Sequence, residues 1–270
     1  MTQFLSHSKE TARDTAGQPA VHAHDVGLTV PGHDLPIISG VSLDVRKGEF
    51  VALVGPSGSG KTTFLNIVAG LQGYTSGEVL VRGEPPRRGR PDAAYALARD
   101  ALLPWRTARG NVELALQVRG MKKAERRERA QAALERVGLG DAADRYRSQL
   151  SQGMRQRVAL ARTLVTEPSF LLLDEPFAAL DAQTRLLMQQ HLLELLEQFD
   201  GTMLVVTHDI GEAITLADRV VVFSQRPGHV IKEYPVGFPR PRNAVELRAE
   251  PRFGELFEEI WSDISAEMKP

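Results

Sequence analysis

Apolar residues along this chain fall into two rhythms, and their order predicts an architecture. Runs of β-formers come first. Residues 24–30 and 41–45 alternate or cluster such residues, and Glu49-Phe50-Val51-Ala52-Leu53-Val54 reads as a buried strand. Residues 78–81 and 93–96 are weaker strands of the same kind. From about residue 107 to 166 the spacing becomes helical. Over 121–137, positions 130, 133, 134 and 137 share one apolar face, and Glu125 and Arg129 are spaced for an i,i+4 ion pair. The charged run 122–129 is read as a solvated helix face. Strand–helix alternation then returns: a fully apolar strand at 170–173, a leucine-rich helix at 182–199, a strand at 203–206, a helix near 210–217 and a strand at 219–223. Such alternation predicts an α/β fold, a mostly parallel sheet covered on both faces.

The same pattern divides the chain. Residues 1–20 are polar, lack a basic-then-apolar leader pattern, and are expected to form a disordered tail. Core segments are expected at 21–106 and 167–225, with 107–166 inserted between them as a helical subdomain. In the extension 226–270, turns at Arg226-Pro227-Gly228 and at 235–241 precede a short amphipathic helix near 252–264. Arg240, Arg242 and Arg248 lie there beside Pro239 and Pro241, and a packed surface extension is the simplest reading.

Chemistry enters at the end of the strand 49–54. Gly55-Pro56-Ser57-Gly58-Ser59-Gly60-Lys61-Thr62 follows it directly, and helical spacing resumes from Thr63. Strand, glycine-rich turn and helix in that order form a P-loop. Its glycines let the backbone approach an anion, and several backbone N–H groups within the stretch 55–63, together with the helix start, can cradle phosphates. Lys61 can reach the β- and γ-phosphates, and the Thr62 hydroxyl can ligate Mg²⁺. A second cluster begins where the apolar strand 170–173 closes on Asp174-Glu175. Ligands of open α/β sheets bind at the C-terminal ends of strands, so Asp174 is placed to hold Mg²⁺ and Glu175 to take a proton from an attacking water. His208 ends the strand 203–206 in the same way and is placed to touch a γ-phosphate. His7, His22, His24, His33, His191 and His229 show no metal-ligand spacing.

Composition narrows the partners. With 33 basic against 34 acidic residues, nothing in the global charge points to nucleic acid. The absence of cysteine removes disulfides, thiolate metal sites and cysteine nucleophiles. Since no apolar run is long enough to cross a bilayer, any membrane role must work through a partner protein.

With these residues in place, the chain resembles an ATP-binding cassette (ABC) ATPase over roughly residues 24–225. Leu150-Ser151-Gln152-Gly153-Met154 is similar to that family's signature segment, and Ala178-Ala179-Leu180-Asp181 to its D-loop. The resemblance implies a P-loop NTPase core with an N-terminal antiparallel β subdomain and an inserted helical subdomain. It implies ATP and Mg²⁺ as cofactors. It also implies a head-to-tail pair of cassettes, homodimeric or mixed, in which Ser151, Gly153 and Asp181 serve the nucleotide of the opposite subunit. Leu102-Leu103-Pro104-Trp105-Arg106-Thr107, Asn111-Val112 and Phe177 further resemble the importer ATPases for nitrate, sulfonates and taurine. In that branch the segment Leu103, Pro104 and Trp105 meets a transmembrane permease, a solute-binding protein completes the complex, and the cassette sits peripherally on the cytoplasmic face of the membrane. A packed aromatic is the other reading of Trp105. Three positions depart from the family pattern: Ala98 where a glutamine is usual, Val30 where an aromatic stacks on adenine, and Gln152 where a glycine of positive φ is expected. They keep open a regulatory cassette with weak hydrolysis. Balanced charge and the lack of sustained heptads argue against cassettes that act on DNA or ribosomes, and import is preferred to export.

Overall fold

A computed structural model describes residues 18–32, 35–97, 100–197 and 199–268. The tail expected at 1–20 falls largely on residues outside that set, as does Ala98. Two sheets are present among the described residues. In the smaller, β1 (Val21–Leu28) runs antiparallel to both its neighbours, β2 (Ile38–Val45) and β4 (Ser76–Val81). Irregular register between Ala23 and Val26 and between Val26 and Leu28 breaks the two-residue alternation. That break is why the sequence pattern placed this strand three residues late.

The larger sheet has the order β5-β6-β7-β3-β8-β9. It comprises β3 (Phe50–Val54), β5 (Ala93–Ala96), β6 (Phe170–Asp174), β7 (Thr202–Val206), β8 (Arg219–Phe223) and β9 (Val230–Pro235). All neighbours are parallel except β9, which returns antiparallel to β8. Strands β3, β6 and β7 are buried along their whole length, which explains their unbroken apolar composition. One face of this sheet packs toward the smaller sheet, with Phe64 and Leu65 of α1 (Lys61–Val68) wedged among Leu53, Val79 and Val206. The other face packs under α5 (Ala182–Leu196), α6 (Ile210–Leu216) and α8 (Pro251–Glu267). Leu192, Leu256 and Ile260 are fully buried there, each contributing about 1.5–3 kcal/mol relative to exposure.

A separate apolar cluster joins α2 (Ala108–Val118), α3 (Lys123–Arg136) and α4 (Gln152–Leu164) through Val112, Leu116, Leu134 and Val158. Glu125 and Arg129 do pair on the outer face of α3, at 3.6 Å. The C-terminal residues pack tightly, through β9, the short α7 (Ala244–Leu247) and α8. Arg242 is buried and donates to the carbonyls of Thr215, Ala217 and Phe238, while Arg240 stacks over the Phe50 ring and pairs with Asp218. Burial pushes the Arg242 pKa down, against the pull of Asp218. These arginines are structural.

For function the decisive feature is register. Asp174 at the end of β6 pairs with Val206 at the end of β7, which also lies beside Leu53 of β3. Three adjacent parallel strands therefore deliver Asp174-Glu175, Thr207-His208 and the glycine turn to one edge.

Candidate active site

The glycine turn leaves β3 and becomes α1 without spare space. Gly60 caps the helix at φ 90, where an added Cβ would lie 2.3 Å from the Ile38 side chain. At Gly55, φ is 143 and a Cβ would meet the Phe223 carbonyl at 2.5 Å. Side chains are excluded at both by backbone conformation and by contact. Lys61, the first helical residue, is buried and its ammonium donates to Gly55 O at 2.9 Å, Pro56 O at 2.7 Å and Ser59 Oγ at 3.0 Å. Burial pushes the Lys61 pKa down, and the carboxylates of Glu175 and Asp174 push it back up.

Thr62 Oγ1 donates to Asp174 Oδ1 at 2.8 Å, so the two expected Mg²⁺ ligands converge. Burial raises the Asp174 pKa and the neighbouring Glu175 adds to it, opposed by Thr62, Tyr95 and Lys61. Among the described residues no group of three or more His, Asp or Glu side chains could hold a metal ion. Two hard oxygen ligands without a full cage fit Mg²⁺ brought in by a nucleotide, which would supply the remaining ligands.

Glu175 leaves β6 in the left-handed region, at φ 46, with its amide donating to Val206 O at 2.8 Å. Such a conformation costs a non-glycine residue on the order of 1 kcal/mol and is kept where the surroundings impose it. It turns the side chain toward β7, where Glu175 Oε2 lies 3.5 Å from His208 Nδ1. Thr207 N donates to Leu53 O, so the histidine loop is tied to the strand that feeds the P-loop.

Ser151, Gly153 and Asp181 are not brought to this edge. Ser151 caps α4 by accepting from Met154 N, and Asp181 caps α5 through Thr184 N and the Thr184 hydroxyl. Those hydrogen bonds lower the Asp181 pKa. With Gly153 they line a separate depression of about 340 Å³ that no P-loop residue reaches.

Gln152 requires a correction. It takes ordinary helical conformation as the first residue of α4 and has no positive φ, so the backbone objection to a side chain there does not hold. Its amide instead donates to Ala179 O, and Gln156 one turn on donates to Pro176 O. Trp105 is 71% exposed, which removes the packed-aromatic reading within this chain. His22 is occupied by Asp44 at 2.6 Å.

Three residues near the site carried little sequence signal. The Tyr95 hydroxyl donates to Asn66 Oδ1 at 3.0 Å and lies 3.5 Å from Asp174 Oδ2, and burial beside Asp174 raises its pKa. Its only mark in the sequence is one tyrosine in a four-residue strand. Glu212 is the one acid in a short buried helix, a contrast visible three residues after Asp209. Arg185 of α5 pairs with Asp209 at 2.9 Å and had no local signal.

A glycine turn opening a helix, an acid pair and a histidine on adjoining parallel strand ends define a P-loop nucleotide hydrolase. Comparison with known proteins narrows the class. A family model described as ABC transporter matches residues 38–178. The chain is 45% identical over 249 residues to the taurine import ATP-binding protein TauB of Mesorhizobium japonicum, covering 89% of this chain and 97% of that one. It is 40% identical over 242 residues to the nitrate import ATP-binding protein NrtC of Synechococcus elongatus, covering 88% of this chain and 37% of that protein. Its fold matches the dimeric post-hydrolysis structure of the ATP-binding cassette MJ0796 bound to ADP and Pi, with TM-score 0.70 and 35% identity over 81% of this chain and 100% of that one. The chain belongs to the ABC transporter family and is an ATPase of that family, as the motifs implied. The reading as a regulatory cassette with weak hydrolysis finds no support in these relatives.

Proposed function

We propose that this chain is the ATP-hydrolysing subunit of an importer for a small solute of the taurine, sulfonate or nitrate kind. The convergence of Thr62, Asp174, Glu175 and His208 on one sheet edge supports it, together with relatives named for taurine and nitrate import. Amides of residues 57–61 and the Lys61 ammonium hold the triphosphate. Thr62 and Asp174 would hold Mg²⁺, which when bound would supply charge neutralisation to the triphosphate. Glu175 accepts a proton from the attacking water, and His208 beside it orients the γ-phosphate. Ser151, Gly153 and Asp181 complete the site of a second subunit across a head-to-tail dimer, which accounts for their separate surface.

Closure of that dimer is the mechanical step passed to a transmembrane permease. The exposed Trp105, with Leu103 and Pro104, is the proposed contact to it. No helix among the described residues is long and apolar enough to cross a membrane; relatives named as import ATP-binding proteins support a peripheral subunit at the cytoplasmic face. The solute is selected elsewhere, by a solute-binding protein and the permease.

Glu175→Gln tests the assignment. Nucleotide binding should persist, ATP-dependent dimers should accumulate, and turnover should fall by about 10²-fold or more, the ordinary contribution of a general base. Turnover within twofold of the parent would remove Glu175 from this role.

A further inference from the structure

The loop that follows Glu175 and the loop that carries His208 are joined by one side chain. Arg185, in the first turn of α5, donates from one terminal nitrogen to Leu180 O at 3.1 Å and from the other to Asp209 Oδ2 at 2.9 Å. Leu180 lies beside Asp181, on the surface assigned above to the second subunit. Asp209 directly follows His208. Its other carboxylate oxygen caps α6 by accepting from Glu212 N at 3.0 Å, and its own amide donates to Thr207 Oγ1. A change at the subunit surface and the setting of the histidine are thus separated by one guanidinium.

The surroundings make this fork responsive. Arg185 and Asp209 are each about a quarter exposed, so their pairing is partly desolvated and stronger than a surface ion pair. The Arg185 Nε is buried with no hydrogen-bond partner among the described residues, as are Gln189 Nε2 and Glu212 Oε1 behind it. The titratable groups facing the pair are Glu212 from α6, whose carboxyl burial keeps protonated, and the charged Arg248, which reaches Gln189 Oε1 at 3.2 Å. The guanidinium is held by its two terminal nitrogens, so it can follow the loop without breaking a third bond.

We propose that Arg185 is a positioning residue that couples the setting of the loop 177–181, and hence subunit closure, to the orientation of His208 through Asp209. The inference rests on the proposed role of His208. It adds a route by which the second subunit's arrival is felt at the first subunit's histidine.

The experiment is a double-mutant cycle on the full chain with Arg185→Gln and Asp209→Asn. Asparagine keeps the cap on α6 while removing the charge. Steady-state ATPase gives kcat and KM, and ATP-dependent dimerisation is measured with each change placed on Glu175→Gln. Each single variant should lose about tenfold in kcat with KM for ATP moved less than threefold, and the double variant should be no slower than the slower single. Dimers should still form. Losses that multiply to about a hundredfold in the double variant, or singles within twofold of the parent, would overturn the coupling. A KM effect exceeding the kcat effect would do the same, since it would mean lost nucleotide binding. If Arg185→Gln does not fold, Asp209→Asn with Arg185→Lys carries the cycle: lysine keeps a charge for Asp209 but cannot bridge to Leu180 O as well, so partial loss is expected and full activity would overturn the proposal. Failure of the underlying reading is distinguishable, because it would appear as undiminished turnover in His208→Ala on the otherwise unchanged chain.

Discussion

Replacing Glu212 by glutamine should change how the stability of this protein depends on pH. The carboxyl is only 2% exposed, in a helix whose every residue is buried, and one of its oxygens has no partner among the described residues. Burial and the nearby Asp209 raise its pKa from the ordinary 4.5 to about 8, against weaker pulls from Arg185, Thr207 and Gln189. The Gln189 amide faces it without a well-formed hydrogen bond. Between about pH 4.5 and 8 the folded protein retains a proton that the unfolded chain has released. The folded state then binds more protons, and stability must fall as pH rises, by about 1.4 kcal/mol per pH unit for this one group. The advantage is whole below about pH 4.5 and gone above about pH 8, a swing of several kcal/mol. Glutamine cannot ionise and lacks that slope. Urea unfolding of both proteins at pH 5, 6.5 and 8 measures it. The variant should gain on the parent by several kcal/mol between the first and last conditions, whatever constant offset the lost hydroxyl introduces. Parallel stability curves would refute the claim that Glu212 is folded in its neutral form.

Two glycines give contrasting expectations. A Cβ on Gly228 would sit 1.8 Å from the carbonyl of Ser59, and Gly228 is held in place by hydrogen bonds to Ile37 O and from Ser39 N. Gly228→Ala must therefore displace the P-loop backbone and should weaken ATP binding by about tenfold or more in calorimetry; unchanged affinity would show that the loop yields freely. At Gly254, inside α8, nothing lies within 4 Å of an added Cβ. Gly254→Ala should raise stability by about 0.5–1 kcal/mol with unchanged ATPase activity, and a drop in thermal midpoint would contradict the open space.

Legibility in the sequence followed how local each cause was. Strands β3, β6, β7 and β8 could be read because burial on both faces leaves a continuous apolar run. Strand β9 was read as part of a turn-rich tail, for it lies at the sheet edge with only Tyr234 turned fully inward, its hydroxyl donating to Asp263 at 2.6 Å. Glycine-turn chemistry and strand-end acids are written within a few residues, so Lys61, Thr62, Asp174, Glu175 and His208 could be proposed without coordinates. Tyr95, Arg185 and Glu212 could not, because strand order and helix packing bring them to the site across long stretches of chain.

Gln152 shows where analogy misleads. A glycine in a related motif suggests a backbone need, but here the position is the first turn of a helix that Ser151 already caps, and any L-residue can occupy it. The position is therefore free to carry a side chain, and this chain uses it to reach Ala179 O while Gln156, one turn later, reaches Pro176 O. Two amides on one face of α4 thus hold the segment between Glu175 and Asp181 from the helical side. Arg185 holds its far end from α5. The segment is gripped by both helices that flank the subunit surface, so a rotation of α4 cannot occur without pulling on the residues that follow Glu175. The departure that suggested a weakened cassette is better understood as an added link between its helical part and its hydrolytic edge.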